Sequence, residues 1–430
     1  MESIRKVFHQ SVWLQEEFLK RPYRVHGLLY LIFIAQGLFY DGPRGVALGL
    51  LNIIAGPDNL VTDYIYVGGL GAALVNVGLS GLLVIGALVL AKHEPTGFTM
   101  GTLGLVVGFA FFGKNPFNMW PIIMGGFLYS KVADVPYDRV ILRSVLATCL
   151  APAVTQLTQF ASVPTPVGII LGIIIGLFIG FFMNPLAAHM ETAHKNYNLY
   201  NVGFTAGILG VCLHALFGLM GADITVLQLW SSGYNVQLMI FLGIVSVYFI
   251  LVGFMYHGEK VRFREYAVFH AADYDYFKRY REKAYVHMGI MGLACLIFML
   301  VLRGEYSGPV IGAILSVVGF GAFGKALSSA AIVVSGAMLA AAVNWAIVGI
   351  PMNDRSFLVA ALFSTCLSPL AKRFGIWWGL AAGFLHLTLA TNVGVFHGGM
   401  NLYNNGFAGG LAAMVILPII IFFNRSSHSL

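Results

Sequence analysis

The sequence is poor in charge and in cysteine. Asp, Glu, Lys and Arg make up only 10% of its 430 residues, whereas soluble globular proteins carry about 25%. The four cysteines lie in apolar segments without CxxC spacing, which indicates neither a zinc knuckle nor a disulfide framework. Acidic residues are scarce in the apolar segments, which disfavours a proton relay through them, with Glu191 and the nearby histidines as the alternative participants. The low charge excludes a chain with much soluble mass.

Apolar residues are abundant instead. Hydrophobic residues make up 58% of the chain, the mean hydropathy is +0.82, and apolar runs of 18 or more residues recur, as at 69–91 and 166–183. Such runs predict a polytopic α-helical membrane protein. The net charge of +7 indicates basic loops that face the cytoplasm, not nucleic-acid binding. Residues 1–24 are predicted to lie on the membrane surface as an amphipathic helix.

Three stretches of sequence occur twice in the same order. The pairs are "VVGFAFFGK" (106–114) with "VVGFGAFGK" (317–325), "DRVILRSVLATCLAP" (138–152) with "DRSFLVAALFSTCLSP" (354–369), and "NLYNVGFTAG" (198–207) with "NLYNNGFAGG" (401–410). An ordered internal match identifies a duplicated structural unit. The predicted domains are an interfacial segment (1–24), repeat 1 (25–220), an extracytoplasmic linker (221–235), repeat 2 (236–424) and a tail (425–430).

The placement of basic residues decides whether the repeats are parallel or inverted. We place crossings at 26–43, 66–91, 141–160, 166–183, 201–219, 236–256, 284–302, 356–371, 374–391 and 403–423. With cytoplasmic termini, the cytoplasmic segments hold 20 of the 25 Lys and Arg residues, the outer segments three and the hairpins two. This positive-inside split puts the basic loop 257–283 and its counterpart, the Lys/Arg-free loop 46–65, on opposite faces. We therefore predict an all-α protein with two inverted repeats of five crossings each.

Each repeat also has a lysine between two short apolar segments. The segments beside Lys114 have about 15 residues each, or about 22 Å as helix, which is short of the roughly 30 Å hydrocarbon core. We predict one re-entrant helical hairpin per repeat, at 99–133 with Lys114 at its tip and at 310–343 with Lys325. In the alternative, the hairpins cross twice, each repeat has seven crossings, and the lysines snorkel to an interface.

The hairpin tips are candidate anion-binding sites. Pro116 suits the first turn of a helix, whose unpaired N–H groups would then face the tip. The candidate solute-binding residues here are Lys114, Asn115, Asn118, Lys325, Ser328 and Ser329. Phe111, Phe112 and Phe323 are predicted to form apolar pore constrictions.

The "NLYN" element supplies a second group of candidates, because asparagine can both donate and accept hydrogen bonds. This group comprises Asn198, Asn201, Asn401, Asn404 and Asn405, with Glu191, His194 and His397 nearby. In the alternative, these asparagines only cap and pack helices. His189-x-Glu191-x-x-His194 departs by one residue from the HExxH motif of zinc proteases, so we expect no metal site.

A second motif resembles a nucleotide site without completing it. Gly108-x4-Gly113-Lys114 nearly spells a P-loop, but Asn115 stands where a Ser or Thr would hold magnesium. We expect no nucleotide hydrolysis and no cofactor. The polar loop 257–283 is predicted to lie against anionic lipid headgroups, with a regulatory partner site as the alternative.

The twin "GFAFFGKNPF" and "NLYN" blocks resemble a bacterial membrane family, domain of unknown function 1576, over nearly the whole chain. This resemblance implies the plasma (bacterial inner) membrane and no known activity. The five-plus-five inverted plan with Tyr-Asn before a small-residue helix is also similar to urea transporters. However, "LYNVG" and "LYNNG" replace the "GYNG" type of that family, and its paired "NNP" signature has no clear counterpart here.

These patterns predict a channel or secondary transporter for a small polar or anionic solute, with the path between the inverted repeats. We expect a homo-oligomer in the membrane that is not an enzyme, because duplicated polar residues suit a path better than an asymmetric active site. A non-transporting scaffold or sensor and, less favoured, an intramembrane enzyme are the alternatives.

Overall fold

The computed structural model describes residues 21–159, 163–193, 195–222, 224, 226–256 and 274–427. In repeat 1 the helices are α1 (Pro22–Ala55), α2 (Tyr64–Gly68), α3 (Leu70–Leu90), α4 (Gly97–Phe109), α5 (Pro116–Val132), α6 (Tyr137–Ala147), α7 (Ala151–Thr158), α8 (Thr165–Met190) and α9 (Asn201–Leu219). In repeat 2 they are α10 (Asn235–Tyr256), α11 (Tyr276–Arg279), α12 (Arg281–Leu302), α13 (Gly308–Phe320), α14 (Leu327–Val348), α15 (Arg355–Ser364), α16 (Ser368–Phe374), α17 (Ile376–Ala390) and α18 (Asn404–Ser427). Two two-residue strands, β1 (Val61–Thr62) in repeat 1 and β2 (Gln228–Leu229) in the linker, pair in parallel, and three 3-10 turns lie at Thr148–Leu150, Thr365–Leu367 and Val393–His397.

Ten helical segments of the described residues are long and apolar enough to cross a membrane. They confirm the multi-pass helical architecture. The set differs from the predicted crossings in one helix of repeat 2. It includes α14, which was predicted as part of a hairpin, and omits α17, which has only 15 residues. The chain continues beyond α17 into a 3-10 turn at Val393–His397, where the Phe396 carbonyl lies 3.3 Å from His214 Nδ1 of α9.

Both hairpins enter and leave on one face, as a re-entrant element must. In the first hairpin, formed by α4 and α5, His93 Nε2 lies 3.0 Å from Thr99 Oγ1 at the start of α4, and His93 Nδ1 lies 3.0 Å from the Asp138 carbonyl just after α5. In the second hairpin, formed by α13 and α14, the ends are joined by an ion pair between Glu305 and Arg355. Asp275 bonds to the start of α4 and also pairs with Phe323 at the tip of the second hairpin. The start of one hairpin thus lies beside the tip of the other, so the hairpins open on opposite faces, which we call the His93 face and the Arg355 face.

The first helices of the two hairpins cross antiparallel at the centre of the protein. Glycines make this close approach possible, because a Cβ at Gly108 would stand 2.4 Å from the Gly312 carbonyl oxygen, and a Cβ at Gly312 would stand 2.5 Å from that of Gly108. The N-terminus of each helix is capped by an aspartate of the other repeat. Asp63 accepts from Gly308 N at 2.9 Å, and Asp275 accepts from Gly97 N at 2.9 Å. This exchange agrees with two inverted repeats, each with one re-entrant hairpin.

The structure adds detail at several predicted boundaries. The first crossing ends near residue 43 as predicted, because Gly42 takes a non-helical conformation (φ +65°) that kinks α1. Helical turns continue after the kink to Ala55, so only the last part of 46–65 is a loop. The linker 221–235 is more than a connection, since it supplies β2. Residues 22–24 belong to α1. The interfacial segment predicted at 1–24 and the loop at 257–283 lie mostly outside the described residues.

Candidate functional site

Lys114 is fully buried at the tip of the first hairpin. Its Nζ donates a hydrogen bond to Tyr403 Oη at 2.6 Å, and it lies 4.3 Å from the centre of the Tyr403 ring and 5.6 Å from that of Phe109. Tyr403 belongs to repeat 2, so the partner of this lysine comes from the opposite half of the chain. Aromatic faces attract a cation more strongly when it is desolvated.

Lys325 repeats this arrangement at the second tip. It is also fully buried, and its Nζ donates to Tyr200 Oη of repeat 1 at 2.6 Å and to Thr365 Oγ1 at 2.8 Å. The Tyr200 and Phe320 ring centres lie 4.7 and 5.4 Å away. The two lysine–tyrosine pairs are therefore built by exchange between the repeats.

The local sequence explains how each tip holds its shape. Gly113 and Gly324 take φ values of +81° and +74°, a left-handed conformation that glycine adopts at low cost. In the first hairpin, Asn115 and Asn118 form a reciprocal cap at the start of α5. Asn76 Nδ2 of α3 then donates to the carbonyls of Ala110 and Lys114 at 2.7 and 2.8 Å. These bonds satisfy backbone groups that a non-helical turn leaves open at membrane depth.

The "NLYN" segments place the two tyrosines. Asn198 Oδ1 accepts from Tyr200 N at 3.0 Å, while its Nδ2 donates to the Gly406 carbonyl of the other repeat at 2.8 Å. Asn401 makes the same pair of bonds to Tyr403 N and the Gly203 carbonyl. Both amides are thus occupied by protein, which supports the packing alternative for these two residues and gives no support to solute contact.

The following Leu fixes each segment to the opposite repeat. Leu402 N donates to the Cys149 carbonyl at 2.9 Å, and Leu199 N donates to the Cys366 carbonyl at 3.0 Å. Both carbonyls lie in 3-10 turns, Thr148–Leu150 and Thr365–Leu367, that interrupt the helical crossings. The two "TCL" turns therefore bind the "NLYN" segments of the opposite repeats.

The last asparagines of the two "NLYN" segments have different surroundings. Asn201 Nδ2 donates to Glu191 Oε1 at 3.1 Å, and Glu191 pairs with Arg143 at 3.3 Å. In repeat 2, Asn404 Oδ1 lies 3.1 Å from His397 Nε2, and its Nδ2 donates to the Ala390 carbonyl at 2.7 Å. Burial lowers the pKa of His397 to about 4, so this histidine is neutral at pH 7.

A cavity of about 250 Å³ lies beside Asn404. Its exposed rim includes Gln228, Asn392 and Val395 near the Arg355 face, and its inner wall includes Phe109 and Phe363. None of its lining residues is charged. The same two phenylalanine rings stack at 5.3 Å, and Phe109 also lies beside Lys114. The cavity thus ends one aromatic layer away from the buried lysine.

Asp58 is a further buried group at the first tip. Its carboxylate accepts from Tyr64 Oη at 2.6 Å, Asn118 Nδ2 at 2.9 Å and Thr155 Oγ1 at 2.6 Å. Burial raises the pKa of Asp58 to about 6, although these three hydrogen bonds act in the opposite direction. Asn118 therefore lies at the tip as predicted, where it bonds to Asp58 and caps the start of α5.

The other predicted site residues differ in their surroundings. Asn115, Ser329 and Asn405 are buried near the tips or the cavity, and Phe112 and Asn405 line the cavity. Ser328 is exposed, so it does not join the buried tip as predicted. Phe111 packs edge-on against Phe241 in the core at 5.8 Å, and Phe323 packs against Phe98 at 5.4 Å. Neither of these rings lines the cavity, because both face protein. His194 lies outside the described residues.

The sequence-based candidates missed the residues that complete the site. Tyr200 and Tyr403 stand in both copies of "NLYN", so their duplication was a usable signal. Asp63 and Asp275 also occupy matching positions, one residue before α2 and α11. Asp58 gave a weaker signal, as one of two acidic residues in a loop without Lys or Arg.

The fold and site define a polytopic helical membrane protein with two inverted repeats that exchange a lysine–tyrosine pair. The chain belongs to the family described as "Protein of unknown function (DUF1576)", whose profile matches residues 43–219 and 268–421. The two matched regions agree with the internal duplication. No curated protein and no solved structure matches the chain, and the resemblance to urea transporters stays a prediction.

Proposed function

We propose that the protein is a channel or secondary transporter for a small polar or anionic solute, with the path at the interface of the two repeats. The observation that carries this proposal is the pair of fully buried lysines, Lys114 and Lys325. Among the described residues, neither lysine has a carboxylate partner. An unpaired lysine at membrane depth costs on the order of 3 kcal/mol, and such residues typically mark a substrate path.

Each lysine has N–H donors that no protein group in the described part of the chain accepts, and these favour an anion or a carbonyl group. A lysine ammonium has three N–H donors and no acceptor. Lys114 uses one of them, on Tyr403, and Lys325 uses two, on Tyr200 and Thr365. Each tyrosine accepts from its lysine, which leaves the phenolic proton to donate. The pairs therefore offer surplus donors, which a solute rich in acceptors would satisfy.

The cavity supplies the approach to this centre. It is large enough for a small solute, and its lining mixes aromatic walls with the amides of Asn392, Asn404 and Asn405. Narrow apolar walls with few hydrogen-bonding groups are typical of selective pores. Phe109 and Phe363 would have to move for a solute to pass from the cavity to Lys114.

The proposal extends to the setting of the protein. We propose that it works in the plasma (bacterial inner) membrane as a homo-oligomer with cytoplasmic termini. It would bind solute and lipid, without a cofactor and without catalysing a reaction. The duplicated placement of the lysine–tyrosine pairs supports a path that crosses the membrane between the repeats and meets their pseudo-twofold axis near the midplane.

Solute flux into proteoliposomes tests the proposal. The panel is urea, formamide, acetate, lactate, phosphate and an amino acid, with and without an imposed sodium or proton gradient. We expect one of the anions or amides to enter, and we expect Lys114→Ala/Lys325→Ala to lower that flux at least a hundredfold. Lys131→Ala, at an exposed lysine, is the matched control and should leave it unchanged. Absence of flux for every solute would favour the scaffold or sensor instead.

A further inference from the structure

The cavity beside Asn404 has a collapsed counterpart in repeat 1. A space of only about 10 Å³ is lined by Leu146, Leu199, Asn201, Val202 and Phe320. The corresponding residues of the other repeat, Phe363, Leu402, Asn404, Asn405 and Phe109, all line the large cavity. About 10 Å³ holds at most about one water molecule. The two spaces therefore occupy equivalent positions in the two repeats, and one is open while the other is closed.

Two residues explain the difference. Arg143 precedes Thr148 by five residues, as Ala360 precedes Thr365, and Glu191 precedes Asn198 by seven residues, as Gly394 precedes Asn401. Ala360 and Gly394 both line the large cavity. Repeat 1 therefore has the long charged side chains of Arg143 and Glu191 where repeat 2 has the small residues Ala360 and Gly394.

These side chains bond to each other and to the site. Arg143 Nη2 lies 3.3 Å from Glu191 Oε1, which also accepts from Asn201 Nδ2 at 3.1 Å. The two charged side chains are 33% and 27% exposed, so the pair stands at the edge of the protein and reaches the collapsed space through Asn201, which lines it. Partly exposed pairs of this kind contribute little to stability, which makes them easy to open.

We propose that Arg143, Glu191 and Asn201 form a side-chain lock over a second solute vestibule, and that opening the lock admits solute to Tyr200 and Lys325 from the His93 face. The proposal rests on the proposed transport function. Under it, the structure holds one vestibule open and the other shut, as alternating access between inverted repeats requires.

Cysteine labelling tests the lock without relying on transport. Val202→Cys is the reporter in the collapsed space, and Ser356→Cys is the matched reporter in the open cavity. Both are made with Cys212→Ser, because Cys212 is exposed, and the same chain without a reporter gives the background. A charged, membrane-impermeant methanethiosulfonate is added to each side of membrane vesicles. We expect Arg143→Ala/Glu191→Gly, which installs the repeat 2 residues, to raise the labelling rate of Val202→Cys at least tenfold.

Two further variants keep the outcome interpretable. The exchanged pair Arg143→Glu/Glu191→Arg restores the ion pair and should keep the rate within threefold of the unmodified lock. Glu191→Gln keeps the side-chain size and serves if the double variant fails to fold; it should raise the rate severalfold. An unchanged rate at Val202→Cys in a variant that labels normally at Ser356→Cys would overturn the lock. Faster labelling of Val202→Cys without flux of any solute would support the side-chain lock and refute the proposed transport function.

Discussion

The two halves of the protein are nearly identical at their centre and unlike at their edges. At the centre, each buried lysine donates to a tyrosine of the other repeat at 2.6 Å. At the edges, one half has a cavity of about 250 Å³ and the other a space of about 10 Å³. Exchange between the repeats keeps the centres alike, because each pair needs a residue from both halves. The charged pair Arg143 and Glu191 lies wholly within repeat 1, so the edges of the two halves are free to differ.

The largest difference that we expect concerns the two capping aspartates. Asp63 is fully buried and accepts from Ile65 N, Ser231 N, Ser231 Oγ and Gly308 N. Asp275 is only partly buried, and it accepts from Gly97 N and Lys278 N. Asp63→Ala should cost about 3–5 kcal/mol, because it leaves buried donors unpaired, and Asp275→Ala about half of that. Thermal unfolding of the purified protein in detergent compares them. Equal losses would show that the two caps are equivalent after all.

The glycine contact between α4 and α13 should be symmetric. A Cβ at either Gly108 or Gly312 meets the backbone of the other helix, so Gly108→Ala and Gly312→Ala should each destabilise the protein by about 1–3 kcal/mol. Gly243→Ala is the matched control, since a Cβ there meets nothing within 4 Å, and it should be neutral or slightly stabilising. Midpoint temperatures of unfolding give the measurement. If only one of the two contact glycines tolerates alanine, the crossing is not symmetric.

The smallest effect should separate the two tyrosines. Tyr403→Phe removes the hydrogen-bond partner of Lys114, whereas Tyr200→Phe leaves Lys325 bonded to Thr365. We expect Tyr403→Phe to lower solute flux about tenfold, equivalent to roughly 1.4 kcal/mol, and Tyr200→Phe to lower it less than threefold. Adding Thr365→Val to Tyr200→Phe should bring the second site down to the level of the first. A larger effect from Tyr200→Phe alone would reverse this ranking.

Much of the fold could be predicted because its signals are local or duplicated. Apolar runs gave the crossings, and a lysine between two short apolar segments gave both hairpins. The partners of Lys114 and Lys325 could not be predicted, since they lie far away in the chain and in the other repeat. Asn198 and Asn401 were predicted to contact solute because an asparagine pattern does not reveal that its amide is already bonded. The break in α1 at Gly42 was predicted, but the helical turns after it were not, because a Gly-Pro pair typically marks the start of a loop.

The exchanged lysine–tyrosine pair also sets an order of events during synthesis. Tyr403 follows Lys114 by 289 residues, and ribosomes add roughly 5–20 residues per second. The first hairpin must therefore wait roughly 15–60 s in the membrane before its lysine meets its partner. During that interval the Lys114 amine has no Tyr403 hydroxyl to bond, so this half of the site stays incomplete until the last helices are made.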